Sequence, residues 1–156
     1  MEIFSVSFFG HRCLSNSDFV DKKVYEIICD LIRNKNYIEF LVGREGDFDQ
    51  VVSSAIIRAK RNIDLGNAFH IWIMPYMKAE YINNKSAFEK YYDSIEVCEK
   101  SSVAFPKSAI TIRNQYMIER SDMCVFYVAK KNGGAWKAMK YAGNIGKSYI
   151  NIAIVK

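Results

Sequence analysis

Arg113-Asn114-Gln115-Tyr116-Met117-Ile118-Glu119-Arg120-Ser121-Asp122, then Met123-Cys124-Val125-Phe126-Tyr127-Val128, then Lys130-Lys131-Asn132-Gly133-Gly134-Ala135-Trp136 running on to Tyr141-Ala142, is the stretch on which the fold turns. It reads as the back of a helix, an apolar strand, a polar turn with paired glycines and the start of another helix. An open α/β sheet builds a site in this order, because ligands sit outside the carboxyl ends of parallel strands, against the amino ends of the helices that follow. Gly133 and Gly134 put no side chain between a phosphate and the backbone N–H groups, and the helix they open offers its positive end. A lone Gly-Gly also serves as a plain strand-to-helix turn. The rest of the chain has to separate the two readings.

On either side the same alternation continues. Ile3 to Phe9 is rich in β-branched and aromatic residues and predicts a buried first strand, followed by the turn Gly10-His11-Arg12-Cys13 and a helix capped by Ser15 or Ser17. Val20, Val24, Ile27, Ile28, Leu31 and Ile32 recur at three and four residues, the stripe of a helix packed on a sheet. Tyr37 to Val42 predicts a second strand, and Gly43-Arg44-Glu45-Gly46-Asp47-Phe48-Asp49 a turn onto a second helix. Phe69 to Met74 predicts a third strand ending at Pro75. Met77 to Pro106 carries aromatic residues without clear periodicity, and reads as one or two short helices with a small strand around Ile95 to Cys98, folding over the site. Ala109, Ile112, Tyr116 and Met117 are helically spaced. The strand Met123 to Val128, a helix from Gly134 to about Asn144 capped by Gly146, and a last strand from Tyr149 to Val155 complete the chain. Alternating strands and helices with short turns predict an α/β fold, a parallel sheet of about five strands with helices on both faces.

With 156 residues, half of them apolar, the chain suits one domain with a sizeable core. No apolar run approaches the roughly 20 residues that span a bilayer, and the amino end has no basic leader, so no membrane partner and a cytoplasmic location are expected. Cys13, Cys29, Cys98 and Cys124 have no CxxC spacing, and only His11 and His70 could complete a zinc site, so no metal is expected. The formal charge of +5 suits a phosphate-bearing ligand or nucleic acid better than a cation.

Three signatures now stand together: Phe9-Gly10-His11-Arg12 at one strand end, Gly43-Arg44-Glu45-Gly46-Asp47-Phe48-Asp49 at a second, and Arg113-Asn114 with Met117, Ser121-Asp122 and Gly133-Gly134. In order and spacing, over essentially the whole chain, they resemble the SLOG superfamily, the Rossmann-like group named after the Smf/DprA and LOG-type proteins. The Gly-His-Arg and Gly-Glu/Asp-Phe-Asp turns are similar to the small bacterial and phage proteins of the YpsA/YoqJ type. The resemblance implies a nucleotide-binding open sheet, no bound cofactor, and a homodimer as a common assembly. LOG-type enzymes release a base from a nucleoside monophosphate with an arginine, whose place Arg113 takes, and a glutamate after a glycine-rich turn. Here Ala135, Trp136 and Lys137 follow Gly133-Gly134, and Met139-Lys140 stands where the glutamates would be. The glutamate is missing, while the cradle and its arginine remain.

The candidate ligand-binding residues are therefore Gly10, His11, Arg12, Gly43, Arg44, Asp49, Arg113, Asn114, Gly133 and Gly134. Arg12, Arg44 and Arg113 offer guanidinium forks suited to phosphate oxygens. His11 is a donor to a phosphate or to a carbonyl, or a general acid. Asp47 and Asp49 either bind ribose hydroxyls or supply a base, with helix capping as the simpler account of Asp47. Glu45 and Asp47 are the candidate catalytic carboxylates. Trp136 and Tyr76 are candidates to stack on a base. A sensor or accessory protein holding a nucleotide is the expected function. The alternatives are a hydrolase or transferase acting at an N-glycosidic bond and a DprA-like binder of single-stranded nucleic acid.

Overall fold

The computed structural model describes residues 2–153. Six strands form: β1 (Phe4–Gly10), β2 (Ile38–Val42), β3 (Ala68–Met74), β4 (Ser94–Val97), β5 (Met123–Tyr127) and β6 (Tyr149–Asn151). They pair in parallel throughout, in the order β4-β3-β2-β1-β5-β6. Every residue of β2 is buried, as a strand covered on both faces requires. The sheet thus has six strands rather than about five. The additional one is β4, whose four partly exposed residues are too few for a period of two to show. The last strand ends at Asn151, and Ile154 and Val155 of the expected run lie outside the described residues.

Helices α1 (Ser17–Asn34) and α2 (Asp47–Ile63) cover one face; α3 (Ala79–Asn83), α4 (Lys85–Tyr91) and α5 (Glu99–Ser102) are short; α6 (Pro106–Arg120) and α7 (Gly133–Asn144) cover the other. The alternation along β1 decides which core each residue joins. Val6 and Phe8 pack with Phe40, Trp72, Val24, Ile28, Val52 and Ile56, whereas Phe9 packs with Leu41, Ile73, Phe126, Met117 and Ala138. Small Ala138 and Ala142 let α7 lie close to the sheet.

Helix ends depart from expectation in one place and follow it in another. Asn16, not Ser15 or Ser17, holds the cap position of α1, and its side-chain oxygen accepts the Tyr127 hydroxyl at 3.1 Å instead of capping the helix. Gly146 ends α7 at φ +73°; its N–H reaches the Gly143 carbonyl at 3.2 Å and that of Lys147 the Ala142 carbonyl at 2.9 Å, the paired bonds of a Schellman motif.

None of residues 77–106 lines the crevice, although Lys78 reaches Glu45 at its edge. These residues pack at the far edge of the sheet, where the Trp72 ring lies 5.1 Å from Phe88, 5.2 Å from Tyr92 and 6.1 Å from Tyr81. Aromatic burial against one indole needs no helical or strand period, so the stretch looks patternless in sequence. The winding reverses beside β1, with β2 on one side and β5, reached after the crossover from β4, on the other. That reversal opens a crevice at the carboxyl ends of β1 and β5.

Candidate functional site

The crevice is a cavity of about 420 Å³, within the range of small-molecule sites. Four segments wall it: Phe8 to Gly10 at the end of β1 with His11, Arg12 and Cys13 after it; Gly43, Glu45, Gly46 and Asp49 after β2; Ile110, Arg113, Asn114 and Met117 on α6; and Lys130, Asn132, Gly133, Gly134 and Ala135 after β5.

Two glycines let the first two turns touch. A Cβ on Gly10 would lie 2.2 Å from Cγ of the buried Phe48 ring, and one on Gly46 would lie 2.5 Å from Cα of Arg12. The contact is then stitched by the Asp47 N–H, which donates to the Arg12 carbonyl at 2.8 Å, and by the Leu14 N–H, which donates to Asp47 Oδ2 at 3.0 Å. Asp47 is therefore an exposed brace between turns and does not line the cavity, contrary to its expected role as a catalytic carboxylate.

Glu45, Asp49 and Arg113 form the floor. A Cβ added at Gly43 would sit 2.7 Å from Glu45 Oε1 and 3.3 Å from both Arg113 Nη2 and Asp49 Oδ2, so these three groups converge where only glycine fits. Arg113 is buried at 2 % exposure and its fork is engaged: Nη1 donates to the Ile73 carbonyl at 2.7 Å, Nε to Asn114 Oδ1 at 3.1 Å, and Nη2 to Glu45 Oε1. Lys78 Nζ approaches the other Glu45 oxygen at 3.4 Å. The arginine expected to hold phosphate is thus first a counter-ion. Its carboxylate comes from the β2–α2 turn rather than from the helix after the paired glycines.

Burial raises the proton affinity of Glu45, but the Arg113 charge and hydrogen bond, with Lys78, outweigh it and hold this carboxyl below its ordinary range. Asp49 goes the other way. Burial and the neighbouring Glu45 charge push it up to about 6, against the N–H donors of Glu45 and Gly46 and the Arg113 charge. The Glu45 N–H reaches Asp49 Oδ2 at 2.8 Å. Two adjacent carboxyls driven apart in proton affinity make one a standing anion and the other a proton carrier near neutral pH.

His11 Nε2 accepts the N–H groups of Ala129 at 2.9 Å and Lys130 at 3.3 Å. The ring is therefore neutral with its proton on Nδ1, and burial, with the Lys130 charge, lowers its pKa. It ties the β5–α7 turn to the β1–α1 turn, as an acceptor from backbone rather than a donor to a carbonyl. The mouth is basic and open: Arg12 and Lys130 flank it, Gly133 begins α7 at φ +86°, and no atom lies within 4 Å of a Cβ built on Gly133 or Gly134. Asn132 caps α7 without a side-chain bond, so the first N–H groups of the helix have no side-chain partner there.

Of the residues expected at the site, Gly10, His11, Arg12, Gly43, Glu45, Asp49, Arg113, Asn114, Gly133 and Gly134 line one cavity. Arg44 does not. Its Nε pairs with Glu80 at 3.2 Å, its Nη1 donates to the Tyr92 hydroxyl at 3.2 Å, and its guanidinium lies over Phe88. Trp136 and Tyr76 stand outside the lining as well; Lys140 covers the Trp136 ring at 4.5 Å. Lys130, Cys13, Gly46 and Asn132 also line the cavity; all four lie in the strand-to-helix turns quoted from the sequence, Lys130 three residues before the paired glycines. Among the described residues no three His, Cys, Asp or Glu side chains are grouped to hold a metal, and no helix is long and apolar enough to cross a membrane.

Neither a scan against protein-family models nor a search of curated proteins finds a match to this sequence. Among solved structures, DNA processing protein A of Helicobacter pylori, described for its single-stranded DNA binding mode, is similar with a TM-score of 0.64. The match covers 94 % of this chain and 63 % of that one at 16 % identity, so the chain spans just under two thirds of that protein's length. At this identity the likeness is one of fold.

Proposed function

We propose that this chain is a SLOG-type domain, of the YpsA/YoqJ kind, that binds a phosphate-bearing nucleotide in the cavity and acts as a sensor or accessory factor. The observation that carries the reading is the polarity of one cavity at the switch point. Its mouth has Arg12, Lys130 and the unobstructed amides of Gly133 and Gly134, and its floor has Glu45 and Asp49. Phosphate oxygens suit the first set and ribose hydroxyls the second.

A thermal-shift scan against nucleoside monophosphates, sugar nucleotides, NAD and ADP-ribose tests it, repeated with Arg12→Ala and Lys130→Ala. Arg113→Ala is no substitute for them, because it would leave Glu45 without its partner. At about a hundred times its dissociation constant a ligand adds roughly 2.7 kcal/mol, which appears as a raised midpoint. A panel without any shift refutes the reading.

Two specific observations favour other uses of the same crevice. The split Glu45–Asp49 pair suits an N-glycosidic hydrolase or transferase, with Glu45 facing the oxocarbenium-like centre and Asp49 carrying the proton. Absence of base release under conditions where binding is shown counts against it. The fold shared with a single-stranded DNA binder supports a nucleic-acid ligand, whose affinity would fall steeply with salt.

A further inference from the structure

Beside the main cavity lies a second, shallow one of about 60 Å³ in the seam between α6 and α7. Asn114 and Gly134 line both, so the two adjoin at the start of α7. The groove adds Thr111 and Gln115 from α6 and Lys137 and Tyr141 from α7. Gly134 and Lys137 are three residues apart, on one face of α7 and about 4.5 Å apart along its axis.

The chemistry of this extension differs from that of the cavity. Its polar side chains are amides, hydroxyls and one cation, set around the methyl group of Ala138, and the sequence from Met123 onward holds no Asp or Glu. Lys137 is exposed and, among the described residues, joins no ion pair. Arg113 Nε donates to Asn114 Oδ1, which fixes that amide with its NH2 group free to donate elsewhere. Paired amides suit the edge of a base, and an ammonium suits a phosphate as a point charge. At the far end the Tyr141 hydroxyl is held by Glu119, and that carboxylate opposes the approach of a further phosphate.

Resting on the nucleotide reading of the cavity, we infer that the ligand is longer than a mononucleotide: a second, phosphodiester-linked nucleoside unit lies in the α6–α7 groove, its phosphate on Lys137 and its base against Asn114 and Gln115. Such a unit comes either from a free dinucleotide or from the end of a single strand. The groove adds contacts to whatever the cavity binds, and does not replace it.

Calorimetric titration at low salt with AMP and pApA, and with dTMP and pTpT, tests this on the wild type, Lys137→Ala and Gln115→Ala. The dinucleotide of at least one pair should bind about tenfold more tightly than its mononucleotide, the gain expected of one added stacked and paired base. Both substitutions should remove that gain and leave mononucleotide affinity unchanged. A mononucleotide that binds while its dinucleotide gains nothing overturns the inference alone, as does a gain that survives both substitutions. If none of the four ligands binds, the inference falls, while the thermal-shift panel decides the nucleotide reading separately. A 5'-phosphorylated thymidine oligomer of about twelve units separates the sources. Further tightening beyond the dinucleotide assigns a strand end, and a plateau at two units assigns a free dinucleotide.

Discussion

Replacing Asp49 with Asn should make the protein more stable at neutral pH. In the folded chain this carboxyl titrates at about 6, against 3.8 for an unperturbed aspartate, because burial and the Glu45 charge oppose its ionisation. Between those values the folded state holds the proton that the unfolded state has lost, so stability falls as pH rises through that window. At about 1.4 kcal/mol per pH unit the full penalty at pH 7 is about 3 kcal/mol, and the partial exposure of Asp49 reduces it to roughly 1–3 kcal/mol. Asn keeps the acceptor oxygen for the Glu45 and Gly46 N–H groups and removes the charge. Urea unfolding followed by fluorescence of the buried Trp72, at several pH values from 4 to 7, measures the difference. The gap should be widest at pH 7 and should close near pH 4, with the urea dependence unchanged. The reasoning is refuted if the variant is no more stable than wild type at pH 7, or if a gap of the same size persists at pH 4.

Other perturbations separate the parts of the site. Arg113→Ala should cost roughly 3–5 kcal/mol by stranding Glu45 in a recessed position, and Glu45→Gln in the same chain should recover much of it, read as chemical-denaturation midpoints. His70, buried against Ser53 with its Nδ1 unpartnered, has its pKa lowered to about 4 by burial, with the Asp93 charge opposing. It must therefore charge on unfolding in acid, and His70→Gln should flatten the loss of stability as pH falls from 6.5 towards 4. Gly10→Ala drives a methyl group into the Phe48 ring and should cost several kcal/mol, whereas Gly134→Ala meets open space and should leave the unfolding midpoint within about 1 kcal/mol of wild type. Ala at Gly146, which sits at φ +73°, should lower stability by about 1 kcal/mol.

The fold was legible because its strands are short apolar runs and its main helices are long enough to show their period. Val20 to Ile32 and Phe48 to Ala59 announce α1 and α2 by spacing alone, and both helices bury most of their stripe, with Ile27, Leu31 and Val51 half-buried at its margin. β4 was only hinted at, since four partly exposed residues at a sheet edge do not alternate clearly. The crevice was legible at Gly10, Gly43 and Gly133-Gly134, because a strand-to-helix turn in a parallel sheet has only one end of the sheet to occupy. Arg44 was misplaced because sequence gives a residue's position on the turn but not its rotamer. Glu80, Tyr92 and Phe88, far along the chain, draw it away from the cavity.

By itself the sequence determined the alternation of strands and helices, the parallel sheet, and the turns that would meet at its carboxyl edge. These follow from local periodicity and from the conformational demands of glycine, which act over a few residues. The tertiary structure alone decided which charges meet. Glu45 and Arg113 are 68 positions apart, yet they form the ion pair on the cavity floor. Asp47 and Asp49, two residues apart, end as an exposed brace between turns and a half-buried carboxyl on the cavity floor. Electrostatic interactions depend on distance and burial in space, and those are fixed only when the sheet brings its turns together.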